Sequence, residues 1–324
     1  MNAAVVDAYD RPPRYTTFAD PVPSENELLV EVTAAALHPI VRALAAGTHY
    51  GSTGQLNFIP GVDGVGRLPD GSRVYFGRTN DLYGTFAERS VTQSWLTLPL
   101  PDSLDDATAA AMMNPGMSSW AALTARAKFA AGESVLILGA TGVAGHLAVQ
   151  IARRLGASRV IAAGRNPEAL QQAAALGADA TISLEQDPDA LVADFRHHLS
   201  ESKIDVVLDY LWGAPAESVL AAISQKGLSH ASRRIRFVQI GNSAGPKISL
   251  AGATLRSSGL ELLGSGFGSA SLQEIMKAVG DFIQAADKSG FYVPTKTASL
   301  RDVEALWATP EKGSRLVFQP LSSS

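Results

Sequence analysis

The chain has 324 residues, enough for two domains and a sizeable core. It contains no cysteine, which excludes disulfides, cysteine-ligated zinc and a thiol nucleophile. Charged residues make up 18% and the formal net charge is -4, so no global field draws it to nucleic acid. No uninterrupted apolar run is long enough for a membrane span, and Met1 to Arg14 carry no signal-peptide pattern. The expected location is therefore cytoplasmic, with neither a membrane nor a nucleic acid as partner.

The first third reads as β-rich. Ala3 to Val6 and Leu28 to Thr33 are short strand-like runs, punctuated by Pro12-Pro13 and Pro21-Val22-Pro23. The pattern turns helical around Ala34 to Gly47, at His38-Pro39. Pro60-Gly61-Val62-Asp63-Gly64-Val65-Gly66 is a glycine-rich segment between strands. Arg73 to Gly77 reads as another strand, and Tyr83-Gly84-Thr85-Phe86-Ala87-Glu88 opens a further one. Short strands with such turns suggest a small barrel or twisted sheet. From Asp105 to Lys128 the chain is alanine-rich and helical. Asn114-Pro115-Gly116 interrupts it, which predicts two helices, one on either side.

After Gly132 strands and helices alternate. The strands are Ser134–Leu138, Arg159–Ala163, Ala180–Ser183, Val206–Tyr210, Arg236–Ile240 and Leu260–Leu263. The helices fall at Val143–Leu155, Pro167–Leu176, Asp189–Ser200 and Ala216–Ile223. Such alternation argues for α/β architecture with a doubly wound parallel sheet, whose ligands sit beyond the carboxyl ends of the strands. A helical face follows at Leu272, Ile275, Met276, Val279, Phe282 and Ile283. Leu316 to Phe318 reads as a late strand, and Ser322 to Ser324 as a frayed tail.

Gly139-Ala140-Thr141-Gly142-Val143-Ala144-Gly145 stands between the first of these strands and its helix. Strand, glycine turn and helix is the context of a dinucleotide-binding motif, although Ala140 replaces its first glycine. Gly142 and Gly145 let backbone approach a pyrophosphate and let helix pack on strand, and the helix start offers N–H groups to the anion. The next strand ends in Gly164-Arg165-Asn166, without the carboxylate that holds an unphosphorylated ribose. A cation there suits a 2′-phosphate, so the cofactor is read as NADPH. Asn166 is placed to cap the next helix, with Pro167 in its first turn.

Five pieces in register resemble the medium-chain dehydrogenase/reductase superfamily, specifically its zinc-free quinone oxidoreductase-like branch. They are Pro60–Gly66, Tyr83–Glu88, Pro115-Gly116-Met117-Ser118-Ser119-Trp120, Gly139–Gly145 and Gly241-Asn242-Ser243-Ala244-Gly245. The resemblance implies a GroES-like β-rich domain over residues 1–116 and 269–324 and a Rossmann NADPH-binding domain over 117–268. It implies an active site in the cleft between them, and a homodimer formed through the sheet edge near Gly259–Gly264. It places Thr141, Gly142, Val143 and Ala144 on the pyrophosphate and Gly164, Arg165 and Asn166 beside the adenosine phosphate. Asp209, Tyr210 and Leu211 would line the floor by the adenine-side ribose or the nicotinamide edge. Gly241, Asn242 and Ser243 would approach the nicotinamide ribose, with Gly266, Phe267 and Gly268 near the nicotinamide. Ser118 matches a position bordering the cofactor.

The implied activity is NADPH-dependent hydride transfer to a quinone, enone or related carbonyl, without zinc. The alternative is a non-catalytic NADPH-binding sensor or nucleic-acid-binding protein of the same fold. Hydride transfer needs charge stabilised on oxygen and benefits from a proton donor. The candidate catalytic residues are His38, Tyr50, Tyr83 and Asn242; Tyr50 lies with His49 in the Gly47–Gly54 loop. His38 stands where zinc-free members often carry Asn. Val62-Asp63 replaces the His-Glu pair of zinc-dependent members. His38, His49 and Asp63 share a region but no ligand spacing, so no metal is expected. Gly227 to Arg236, with Ser229, His230, Arg233 and Arg234, reads as a basic exposed loop.

Overall fold

The computed structural model of the protein describes residues 1–78, 80–224, 233–266, 268–310 and 313–320. Phe267, Ser229, His230 and the Ser322–Ser324 tail lie outside the described residues. In chain order the elements are β1 (Asn2–Val5), β2 (Arg14–Thr17), β3 (Glu27–Ala36), α1 (Pro39–Ala45), β4 (Asp63–Arg67), β5 (Arg73–Gly77), β6 (Arg89–Gln93) and β7 (Thr97–Pro99). Then come α2 (Asp106–Ala121), β8 (Ser134–Leu138), α3 (Val143–Arg154), β9 (Arg159–Gly164), α4 (Pro167–Ala175), β10 (Ala180–Ser183), α5 (Pro188–Glu201) and β11 (Val206–Asp209). The remainder are α6 (Gly213–Ile223), β12 (Arg234–Gln239), α7 (Gly252–Arg256), β13 (Gly259–Gly264), α8 (Leu272–Ser289), β14 (Thr295–Ser299), α9 (Val303–Leu306) and β15 (Arg315–Gln319). The chain divides into two units, Met1–Asn114 with Ile283–Ser324, and Pro115–Phe282.

In the second unit, runs of apolar residues without alternation become strands buried on both faces, as in a parallel sheet covered by helices. Its strand order among the described residues is β10-β9-β8-β11-β12-β13, and every pairing is parallel. The chain starts at β8, works outward to β10, then returns to β11 on the other side of β8. That reversal is the switch point at which such sheets bind ligands. Leu136, Ile161, Val207 and Phe237 pack on one face with Phe195 of α5 and Val219 and Ile223 of α6. On α3, Leu147, Ile151 and their neighbours form the buried stripe that the helical spacing predicts.

Helix α2 departs from expectation, because it runs through Pro115 instead of stopping there. Proline's fixed φ suits a helix; what it removes is one backbone donor. The carbonyl of Pro115 accepts the hydroxyls of Ser118 (2.7 Å) and Ser119 (3.3 Å). Gly116 is kept for space: a Cβ there would collide with the ring of Phe282 on α8. The last stretch, Ala122–Arg126, widens into a π turn, with Ala127 N–H on the Ala122 carbonyl. The basic run from Arg233 is not a loop either. Arg234 to Arg236 enter β12, where Arg234 pairs with Glu261, and Arg233 just before them pairs with Asp205. Arg236 is buried, donating to the Ala127 carbonyl at 2.8 Å and to Glu133 at 2.6 Å.

The first unit holds the β-rich part. Its main sheet runs β14-β15-β3-β4-β5-β7 among the described residues, with β6 also paired to β3. A register shift between Val32 and Ala34 marks an irregularity in β3, of the kind that bends a strand. Phe76, Phe86, Phe318 and Ile59 fill the core, with Phe86 and Phe318 edge to face at 5.5 Å. The polar TKTAS segment forms β14, parallel to β15, which apolar periodicity gave no reason to expect.

This unit also buries a polar cluster. His38, at 1% exposure, sits before α1 with its Nε2 3.7 Å from Asp63 Oδ1. Tyr75 donates its hydroxyl to Asp63 Oδ2 at 2.8 Å, and Arg315 Nη1 donates to the Leu37 carbonyl at 3.0 Å. Burial, reinforced by the Arg315 charge, holds the His38 pKa well below its usual 6.5. Burial pushes Asp63 up to about 7, against the opposing pull of Tyr75, Arg315 and Asn114. The two shifts act on stability with opposite signs. His38 removes stability as pH falls through 6.5, since only the unfolded chain takes that proton readily. Asp63 removes stability as pH rises from 3.8 to about 7, since only the folded chain keeps its proton there. Between those limits each state holds one proton and the slopes cancel. We expect His38→Asn to unmask the Asp63 slope: urea midpoints taken from pH 4.5 to 6.5 should fall with rising pH relative to wild type. The limiting slope is about 1.4 kcal/mol per pH unit. Parallel profiles for the two proteins would show that the pair does not titrate in this way.

Candidate functional site

The turn after β8 is shaped by two kinds of close approach. Gly139 has φ +85, a left-handed conformation that glycine adopts without strain. Its N–H and that of Ala140 bond to the Ala163 carbonyl at 3.0 and 2.9 Å. A Cβ on Gly145 would run into the Gly139 carbonyl and Ala140, so α3 starts in contact with the strand end. Gly142 is different. It is exposed, and a Cβ there would meet only the Gly139 oxygen, at 3.9 Å. The fold therefore has no need of glycine at 142. Gly142 caps α3 without any side-chain bond, and the first helical bond is His146 N–H to the Gly142 carbonyl. The amides of Val143, Ala144 and Gly145 precede that bond, at the positive end of the helix. Thr141 is half-buried and packs against the space that a side chain on Gly164 would need.

The other turns at this edge of the sheet follow β9, β11, β12 and β13. After β9, Asn166 accepts the Ala169 N–H at 2.9 Å and so caps α4 as its position predicts. Arg165 is exposed and has no partner among the described residues. After β11, Asp209 turns inward. Its Oδ1 accepts the N–H groups of Leu211 (2.8 Å) and Trp212 (3.0 Å), and its buried Oδ2 has no partner among the described residues. Burial pushes its pKa up to about 6. Asp209 builds the turn, then, while Tyr210 and Leu211 lie against Gly139. Trp212 is held at φ 55, a strained position for a bulky side chain.

The turn after β12 is laced to the one after β11. Gly241 N–H reaches the Asp209 carbonyl at 3.1 Å, and Ser243 Oγ reaches the Tyr210 carbonyl at 3.1 Å. The Asn242 side chain is exposed. After β13, Gly266 N–H bonds to Ser269 Oγ and Gly268 has φ +88. Ser118 is half-buried on α2 with its hydroxyl on the Pro115 carbonyl. The structure adds one buried polar residue that the sequence pattern does not single out. Ser119 Oγ lies 2.7 Å from the Tyr210 hydroxyl. Two adjacent serines in an alanine-rich helix give no signal of which one is buried.

The other candidates belong to the first unit. His38 is buried and neutral beside Asp63. Tyr50 is 74% exposed, its ring stacked on His49 at 4.2 Å. Tyr83 is half-buried, edge-on to Phe18 at 5.9 Å. No hydrogen bond or ring contact among the described residues joins His38, Tyr50 and Tyr83.

Against known proteins, residues 143–285 match the family described as zinc-binding dehydrogenase. A probable NADPH-dependent quinone reductase of Emericella nidulans is 28% identical, over 99% of this chain and all of that one. The quinone oxidoreductase of Lama guanicoe is 28% identical over 64% of each chain. Among solved structures, the quinone oxidoreductase of Thermus thermophilus, described with its NADPH complex, is 27% identical. It matches with a TM-score of 0.80, covering 98% of this chain and all of that one. The chain has no cysteine, Asp63 Oδ2 is taken by Tyr75, and no group of three His, Asp or Glu stands together among the described residues. No helix among them is long and apolar enough to cross a membrane. Fold, motifs and relatives together support a quinone-oxidoreductase-like member of the medium-chain dehydrogenase/reductase superfamily.

Proposed function

We propose that this oxidoreductase uses NADPH to reduce a quinone, an enone or a related carbonyl compound, without zinc. The observation that carries the reading is Gly142. It leaves open space above the uncapped amides of α3, although the fold would accept a side chain there. Val143 and Ala144 then bind the pyrophosphate through their N–H groups, with Thr141 beside them. Arg165, exposed at the end of β9 and unpartnered among the described residues, takes the 2′-phosphate. Gly164 and Asn166 flank it. Gly241, Asn242, Ser243, Gly266 and Gly268 line the path of the nicotinamide half. When bound, the dihydronicotinamide supplies the hydride, and the protein's part is to orient the cofactor and keep water from it.

For the accompanying proton, Tyr50 offers an exposed phenol, with bulk water as the other source. His38 is neutral and enclosed, which favours packing for it, and Tyr83 is partly enclosed in the same unit. Asn242, exposed after β12, is assigned to the ribose. We also infer a homodimer through β13. It is the edge strand of its sheet among the described residues, with Leu262 39% exposed. Sedimentation at micromolar concentration should give twice the mass of one chain, and a monomer there would remove the dimer from the proposal.

A quinone and enone panel with NADPH tests the function. We expect turnover with at least one member. Gly142→Val should lower the thermal midpoint by no more than the loss of a helix cap and should lose NADPH binding. Arg165→Ala should weaken NADPH about tenfold or more and NADH less than about twofold. Tight NADPH binding with no turnover across the panel would point to the sensor alternative. Equal loss of both coenzymes in Arg165→Ala would move the phosphate contact elsewhere.

A further inference from the structure

Tyr210 joins several parts of the switch point. Its hydroxyl lies 2.7 Å from Ser119 Oγ on α2, and Ser119 is fully buried. The Tyr210 carbonyl accepts from Ser243 N–H at 3.4 Å and from Ser243 Oγ at 3.1 Å. Its Cβ lies against Gly139, 3.2 Å from where a side chain would start, and its carbonyl presses on Gly241 at 2.7 Å by the same measure. The turns after β8, β11 and β12 therefore meet at one residue, and that residue is tied to α2 through a fully buried serine.

One proton arrangement satisfies the hydroxyls. Ser118 and Ser119 both donate to the Pro115 carbonyl, at 2.7 and 3.3 Å, and Tyr210 donates to Ser119 Oγ. Burial pushes the phenol up to about 12, so it remains a neutral donor at working pH. Removing the Ser119 hydroxyl would leave a buried phenol O–H short of its acceptor.

The order of the strands says which half of a dinucleotide this strut serves. Neighbouring strands lie about 4.8 Å apart. Arg165 follows β9 and the open amides follow β8, so a dinucleotide anchored at both continues over β11 and β12. Those are the ends that Tyr210 ties together. Resting on the nucleotide-binding reading above, we propose that Ser119 is a positioning residue for the nicotinamide half of the cofactor, acting through Tyr210. It does not touch the cofactor. It fixes the phenol, and the phenol fixes the turns.

The test compares NADPH with 2′-phospho-ADP-ribose, which keeps the adenosine phosphate and pyrophosphate but lacks nicotinamide. Ser119→Ala should raise the NADPH Kd about tenfold and change the fragment Kd less than about twofold. Ser119→Thr, which keeps a hydroxyl, should restore NADPH affinity. Tyr210→Phe should match Ser119→Ala, and the double variant should be no worse than either, since both remove one interaction. Equal weakening of NADPH and fragment in Ser119→Ala and Tyr210→Phe, with a lowered thermal midpoint, would make the strut merely structural and overturn the inference. So would unchanged affinity for both ligands. If wild type bound neither ligand, the nucleotide reading itself would fall, and this inference with it.

Discussion

The contact between Gly145 and the Gly139 carbonyl is the constraint on which the second unit depends. It lets α3 begin against the end of β8, a strand buried along its whole length. A side chain at 145 would push the helix away and take its first amides with it. With the approach intact, those amides stand at the edge where parallel strands end, at the point where the chain reverses direction across the sheet. Packing thus requires glycine at 145, while the proposed binding role falls on Gly142 of the same turn.

A second constraint is electrostatic. Among the described residues, Arg165 is a cation left unpartnered at the strand ends of the second unit. Other arginines of this unit are committed elsewhere. Arg233, Arg234 and Arg236 are paired with Asp205, Glu261 and Glu133, and Arg153 is paired with Asp179. The basic residues that look available in the sequence are therefore used to tie strands and turns together. The first unit shows the converse arrangement: His38, Asp63, Tyr75 and Arg315 form a polar cluster closed off from water. Such a cluster has to be well satisfied or it destabilises the fold. Its geometry suits holding α1 beside the sheet more than exchanging protons with a substrate.

Much of the second unit was legible because its signals are local. The apolar runs became the strands, Asn166 caps α4 with Pro167 behind it, and Asp187 caps α5 with Pro188. What escaped depends on contacts far along the chain. Pro115 looked like a helix break, but α2 continues through it, and Gly116 beside it makes room for Phe282 from α8. Asp209, read as part of a ligand floor, also bonds the Leu211 and Trp212 amides, which its position in the sequence does not announce. Ser119 could not be told from Ser118, because spacing in an alanine-rich helix does not show which face meets Tyr210. β14 carries too little apolar character to announce itself and forms by pairing with β15.

In the proposed function, open amides after β8 and an unpaired guanidinium after β9 receive a phosphorylated dinucleotide. Calorimetric titration of the wild-type protein tests it most directly. Saturable heat with one NADPH per chain is expected, with a Kd for NADH at least about tenfold weaker. Absence of saturable heat with either coenzyme would contradict it.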